Sequence, residues 1–132
     1  MILVDTSVWV GYLRGDDRPA VARLELLLDR GVPVAVTSIV AQELLQGVAT
    51  HEAFVRLERY LGSQVRVELS DPWLGAVEAA RLYGACRAAG VTIRSTIDCL
   101  IARIAIEHEL PLLHDDGDFD EMARVVSELR LA

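Results

Sequence analysis

The chain has 132 residues and a formal charge of −7, from 13 basic and 20 acidic residues. Hydrophobic residues make up 52% and charged residues 25%, a globular balance that excludes disorder and collagen-like order. The acidic excess argues against a simple electrostatic binder of nucleic acid, and because every basic residue is Arg, mechanisms that need a catalytic lysine are excluded.

A chain of this length is expected to form a single domain over 1–132 and to bury roughly two-thirds of the surface its unfolded form exposes. Ile2-Leu3-Val4 is a short apolar run of the kind buried on both faces of a sheet. Thr6 or Ser7 can cap a following helix that carries Val8, Trp9 and Leu13. Pro19 opens a second helix through Leu28, closed by Gly31. Val34-Ala35-Val36 reads as a second buried strand, and Ser38 can cap a helix from Ile39 to Val48. Another helix is expected from about Glu52 to Leu61.

Val65 to Leu69 alternates with period two and reads as a third strand, at an edge. Asp71-Pro72 is a strong helix start, and that helix runs to Ala89 before Gly90. Ser95 begins a helix through about His108, Leu112-Leu113-His114 forms a fourth strand, and Asp118 with Glu121 resembles a capping box. Leu129 to Leu131 adds a last short strand. Alternation of helices with short apolar strands predicts an α/β fold: a three-layer α/β/α sandwich around a mainly parallel sheet of four to five strands.

Cys86 and Cys99 are too few for a disulfide framework and lack metal-ligand spacing, so they read as buried apolar residues. The N-terminus has no basic region and meets Asp5 at once, so neither a signal peptide nor a membrane span is expected, and the location expected is cytoplasmic.

Sites in open α/β sheets form at the carboxyl ends of strands. Asp5 follows the first strand directly, and Asp115 and Asp116 follow the fourth. Glu43 lies about one turn into the helix after the second strand, and Asp98 lies in the first turn of its own helix. Asp98 shares a helix side with Ile101, Ala102 and Ala105, while Arg103 and Glu107 mark the opposite side as an i,i+4 pair. A carboxylate on an apolar stripe is costly unless a hydrogen-bond network, an ion pair or a cation compensates it. Taken singly these acids have ordinary readings: Asp5 as a helix cap, Asp98 in a capping box with Ser95, Glu43 as a solvated helix residue, and Asp115 to Asp120 as a polar loop. Together they favour a divalent cation site, since Mg²⁺ takes oxygen ligands and two such ions about 4 Å apart can drive phosphodiester hydrolysis. Arg14, Arg18, Arg81, Arg87 and Arg94 are candidates to hold flanking phosphates. His114 and the two tryptophans, Trp9 and Trp73, are read as packed residues rather than ligands or stacking platforms.

The sequence resembles a PIN-domain ribonuclease of the VapC type, the toxin of a toxin–antitoxin pair. The likeness runs nearly end to end and rests on Met1-Ile-Leu-Val-Asp-Thr-Ser-Val-Trp9, Glu43-Leu-Leu-Gln-Gly47, Thr96-Ile-Asp-Cys-Leu-Ile-Ala102 and Leu112-Leu-His-Asp-Asp-Gly-Asp-Phe119. The resemblance implies an acidic quartet of Asp5, Glu43, Asp98 and Asp116 as catalytic residues, with Asp5, Asp98 and Asp116 holding the metal. Asp118 matches an Asp-Phe pair and is assigned to the cap; Asp115 and Asp118 are the rivals of Asp116 for the fourth place. Thr6, Ser7 and Thr96 are expected to steady the carboxylates by hydrogen bonds. The resemblance further implies Mg²⁺, with Mn²⁺ as a substitute, endonucleolytic cleavage of RNA (often a tRNA) to a 5′-phosphate and a 3′-hydroxyl, a homodimer, and a small antitoxin partner. The apolar helices at 20–28 and 39–61 are candidates for part of that partner surface.

Two other functions compete. An aspartyl-phosphate phosphatase usually wants Asp-x-Asp after the first strand, and here position 7 is Ser; it also typically needs a lysine, as does a receiver domain. A catalytically inactive PIN-like binding module would have little reason to keep buried carboxylates.

Overall fold

The structure is a computed structural model that describes all residues from Met1 to Ala132. Four parallel strands form one sheet in the order β3-β2-β1-β4: β1 (Ile2–Val4), β2 (Val34–Val36), β3 (Val65–Arg66) and β4 (Leu112–Leu113). Leu3 pairs with Ala35 on one side and Leu112 on the other, so β1 is central and buried throughout. A parallel strand covered on both faces has no polar side, which is why Ile2-Leu3-Val4, Val34-Ala35-Val36 and Leu112-Leu113 are uniformly apolar.

Chain order sets the layers. From β1 the chain runs through α1 (Thr6–Arg14) and α2 (Pro19–Asp29) to β2, then through α3 (Ser38–Leu45) and α4 (His51–Gly62) to β3 at the edge. It then reverses: α5 (Pro72–Ala88) and α6 (Thr96–Glu107) lead back past β1 to β4, and α7 (Gly117–Val125) follows. Parallel crossovers are right-handed, so reversing the direction of travel moves the later helices to the other face. The packing agrees: α1 meets α2 and α3, α3 meets α4, and α5 meets α6 and α7. The winding changes direction between β1 and β4, and ligand sites form at such a switch point, beyond the carboxyl ends of the strands.

Several local expectations shift by a residue. Asp5, not Thr6 or Ser7, caps α1, and Thr37 rather than Ser38 caps α3, its hydroxyl accepting the Val40 amide at 3.1 Å. Ser38 is the first helical residue, and its own amide is taken by Glu68 at 2.9 Å. That bond draws Glu68 to a helix N-terminus, where a carboxylate is favoured, and β3 stops at Arg66 instead of reaching Leu69. The helix expected from Glu52 starts at His51 under a Thr50 cap. Gly31 and Gly90, at φ of 68° and 83°, end α2 and α5 as expected. Leu129 to Leu131 forms no strand: only Leu131 makes an isolated parallel bridge, to Leu112 of β4.

The core joins both helix layers to the sheet through Leu3, Val4, Val8, Trp9, Leu24, Val40, Ile101, Ile104, Leu112, Phe119 and Met122, all almost fully buried. Gly11 lets α1 and α2 approach, since a Cβ there would lie 2.7 Å from Val21 Cγ2. Trp9 is in the core as expected, but Trp73 is not: it is 80% exposed. As the second residue of α5 it precedes the helix's buried stripe of Gly75, Ala79, Leu82 and Cys86, which sits on other rotations of the helix. Glu107 also departs from expectation. Rather than pairing with Arg103 it accepts the Ser70 amide at 2.9 Å and its hydroxyl at 3.1 Å.

Candidate metal centre

Asp5 is placed by β1, which ends one residue earlier, and by its own amide, which donates to the Leu113 carbonyl at 2.9 Å across the β1–β4 seam. Its Oδ2 accepts the Ser7 amide at 3.0 Å and the Ser7 hydroxyl at 2.5 Å. Its Oδ1 is buried with no partner at all, in a residue only 4% exposed. A buried carboxylate oxygen without a donor is costly in a folded protein, so this atom calls for a cation or a proton. Burial, partly opposed by the Ser7 bonds and reinforced by nearby Asp116, raises the Asp5 carboxyl above its ordinary range.

Asp98 sits in the first turn of α6 with Ile101, Ala102 and Ala105 buried on its side of the helix. Ser95 is the N-cap but makes no side-chain capping bond, so the capping-box reading of Ser95 and Asp98 fails. No hydrogen bond stabilises the Asp98 carboxylate; burial first, then the charges of Asp5, Asp116, Asp118 and Glu43, push it up to about 7. Five acids from four parts of the chain therefore share one electrostatic neighbourhood.

The loop after β4 supplies two of them. Asp116, and not Asp118, caps α7: its Oδ1 accepts the Asp118 amide at 3.0 Å. Asp118 is thereby released from the cap, and it joins Asp98 and Asp116 in a set whose carboxylate oxygens lie within 4.8 Å of one another. Glu121 follows Asp118 at capping-box spacing, which favours Asp118 as the cap, but the helix begins two residues earlier than that cap requires, at Gly117. Asp115 is drawn elsewhere. Arg18 donates to it through Nε and, at 3.0 Å, through Nη2, which lowers its carboxyl below the ordinary range.

Glu43, half-buried on α3, accepts the Thr6 hydroxyl at 2.7 Å. Ser7 bridges the two central loops, donating to Asp5 and accepting the Asp115 amide at 3.0 Å. Thr6 and Ser7 thus contact acids as expected. Thr96 does not: it lies two residues before Asp98, about 200° around the helix, and lines an apolar groove with Ala76, Ala79, Tyr83, Cys99 and Leu100. His114 is packed: its Nδ1 accepts the Asp116 amide at 3.1 Å and its ring lies 5.3 Å from Phe119. Among the candidate phosphate arginines, Arg18 is held by Asp115, Arg81 lies 3.6 Å from Glu78, and Arg94 is bonded to Asp116 and Asp118.

An all-carboxylate donor set with one orphaned buried oxygen suits a hard divalent cation such as Mg²⁺ or Mn²⁺. The donor set therefore fits such an ion.

Residues 2–125 match the PIN domain family. Ribonuclease VapC11 of Mycobacterium tuberculosis is 37% identical to this chain over 128 residues, covering 96% of this chain and 95% of that protein. Among solved structures, VapBC-1 from nontypeable Haemophilus influenzae matches with a TM-score of 0.72 at 19% identity, covering 100% of this chain and 97% of that one. VapBC2 from Rickettsia felis, bound to a DNA fragment from its promoter, matches with a TM-score of 0.71 at 22% identity, covering 100% and 98%. At those identities the two structures bear on the fold alone, and they share it.

Proposed function

Because the chain belongs to the PIN-domain family and stands among its VapC ribonucleases, we propose that it is an Mg²⁺-dependent endoribonuclease and the toxin of a toxin–antitoxin pair. The observation that carries this reading is the buried, unpartnered Asp5 Oδ1, in a residue whose charge acts on Asp98 of the Asp98, Asp116 and Asp118 cluster. Asp5, Asp98 and Asp116 would hold the metal, and Asp118 is added to them on the strength of its place in the cluster. Bound there, the ion supplies charge neutralisation for a scissile phosphate and lowers the pKa of a water.

The chain's own residues do the rest. The Thr6 hydroxyl orients Glu43, whose free oxygen positions the attacking water. Ser7 fixes the Asp5 carboxylate, so that Oδ1 points to its task without rearrangement. Water adds to phosphorus and the P–O3′ bond breaks, leaving a 5′-phosphate and a 3′-hydroxyl. With a net charge of −7, attraction between protein and RNA depends on the ion more than on the surface.

The substrate class proposed is RNA, with a tRNA the foremost candidate, and the working unit a single domain acting in a cytoplasmic homodimer. No helix is long and apolar enough to cross a membrane. The antitoxin is proposed to cover the face carrying exposed Leu13, Leu26 and Phe54 on α1, α2 and α4.

The test is direct. The purified protein is incubated with total RNA in Mg²⁺ or in EDTA, and the new ends are sequenced. Discrete 5′-phosphate ends in Mg²⁺, lost in EDTA and in Asp5→Asn and Asp98→Asn proteins, are expected. Equal cutting by the two variants would overturn the reading.

A further inference from the structure

Arg94 lies in the segment before α6 and is 74% exposed along its side chain, yet every hydrogen bond it donates ends on an acid of the cluster. Its Nη2 donates to Asp116 Oδ1 at 3.0 Å, its Nε to Asp118 Oδ2 at 3.1 Å, and its backbone amide to the same Asp118 oxygen at 3.1 Å. Asp116 and Asp118 are also two of the three residues whose carboxylate oxygens lie within 4.8 Å of one another. The third, Asp98, takes no bond from Arg94 or from any other donor.

We infer that Arg94 is the resident counter-ion of the metal-free centre, and that a divalent ion must displace its guanidinium from Asp116 and Asp118 to bind. The inference rests on the metal-centre reading given above. One positive charge cannot balance three clustered acids, so the site keeps an excess that a dication can satisfy. Release of the side chain is easy, because an exposed guanidinium is solvated nearly as well in water as in its surface pair. Arg18 provides the contrast. It too holds an acid of the same loop, but Asp115 is outside the cluster, so breaking that pair frees no oxygen an ion would use. Arg94 therefore works against ion affinity and makes the centre depend on the free ion concentration.

The experiment is a calorimetric titration of Mn²⁺ into the wild-type, Arg94→Gln, Arg18→Gln and Asp98→Asn proteins at one pH and ionic strength. Removing the guanidinium that the ion must displace from two carboxylates should tighten the Kd of Arg94→Gln by about three- to tenfold, while Arg18→Gln stays within about twofold of wild type. Asp98→Asn should bind most weakly. An Arg94→Gln protein that binds no more tightly than wild type, or an Arg18→Gln protein that tightens equally, would overturn the counter-ion role while leaving the metal centre standing. Absence of Mn²⁺ binding in all four proteins would overturn the metal-centre reading and this inference with it.

Discussion

The Thr6 hydroxyl donates to Glu43 Oε1 at 2.7 Å, joining the first residue of α1 to the middle of α3 across 37 positions of sequence. The bond makes the direction of the Glu43 side chain depend on the turn that leaves β1, the same turn that places Asp5. Thr6→Val keeps the shape and removes the donor. We expect cleavage to fall about ten- to a hundredfold through kcat, with stability lowered by about 1 kcal/mol. Thr6→Ser should restore most of the activity. Steady-state kinetics on one labelled RNA, with a denaturation curve for each protein, checks both; unchanged kcat in Thr6→Val would remove the positioning role.

Ser7 stands between Asp5 Oδ2 and the Asp115 amide. In Ser7→Ala both groups lose a partner at once. We expect a loss of about 1–3 kcal/mol in urea denaturation, above that of an ordinary exposed Ser→Ala change. The Asp5 carboxylate would also lose its alignment, so Mn²⁺ binding should weaken in the same variant.

Acidity should stabilise the metal-free protein over a defined window. Asp98 titrates at about 7 when folded, against an ordinary value of 3.8, because burial and four neighbouring acids disfavour its charge. The folded state thus holds a proton that the unfolded state has released. Stability from this group is complete below the unfolded value and is lost as pH rises through about 7. Asp5 shifts in the same direction. In EDTA, Tm should fall between pH 5 and pH 7.5, and Asp98→Asn should flatten the slope. The lowered Asp115 acts in the opposite sense, but below the ordinary carboxylate range and outside this window. A wild-type Tm that is level across the window would count against the shared neighbourhood of acids.

Packing supplies a control away from the chemistry. Gly11→Ala forces a methyl group to within 2.7 Å of Val21 Cγ2 between α1 and α2. The strain should cost about 1–3 kcal/mol of stability without changing the Mn²⁺ Kd of the folded protein. Thermal unfolding and calorimetry on the same sample separate the two effects.

Much of this molecule is written locally. The uniformly apolar triplets at 2–4 and 34–36 announce buried parallel strands, because a strand covered on both faces has no polar positions. Asp71-Pro72 and Gly90 bound the longest helix for equally local reasons: a cap, a fixed φ and a residue free to turn left-handed. The acids at 5, 98 and 116 stand out in sequence because each falls just beyond a strand or on an apolar helix stripe, whereas Glu43, about one turn into its helix, reads singly as a solvated residue. Other assignments turned on one or two residues of register. Asp116 and Asp118 exchange roles when α7 starts at Gly117, and Thr96 turns away from Asp98 once the rotation of α6 is set. Trp73 looks like a core residue by its chemistry, yet lies on an exposed turn of α5.

Local pattern alone thus determined the alternation of elements, the strand ends and the unusual placing of carboxylates, since propensity and periodicity act over a few residues. Only the tertiary structure decided which acids meet, which one Arg18 removes, and that Arg94 spans the other two. Those outcomes depend on the reversal of winding between β1 and β4, which brings positions more than a hundred residues apart to one seam. Charge and desolvation act through distance in space, and distance in space is what a linear pattern leaves open.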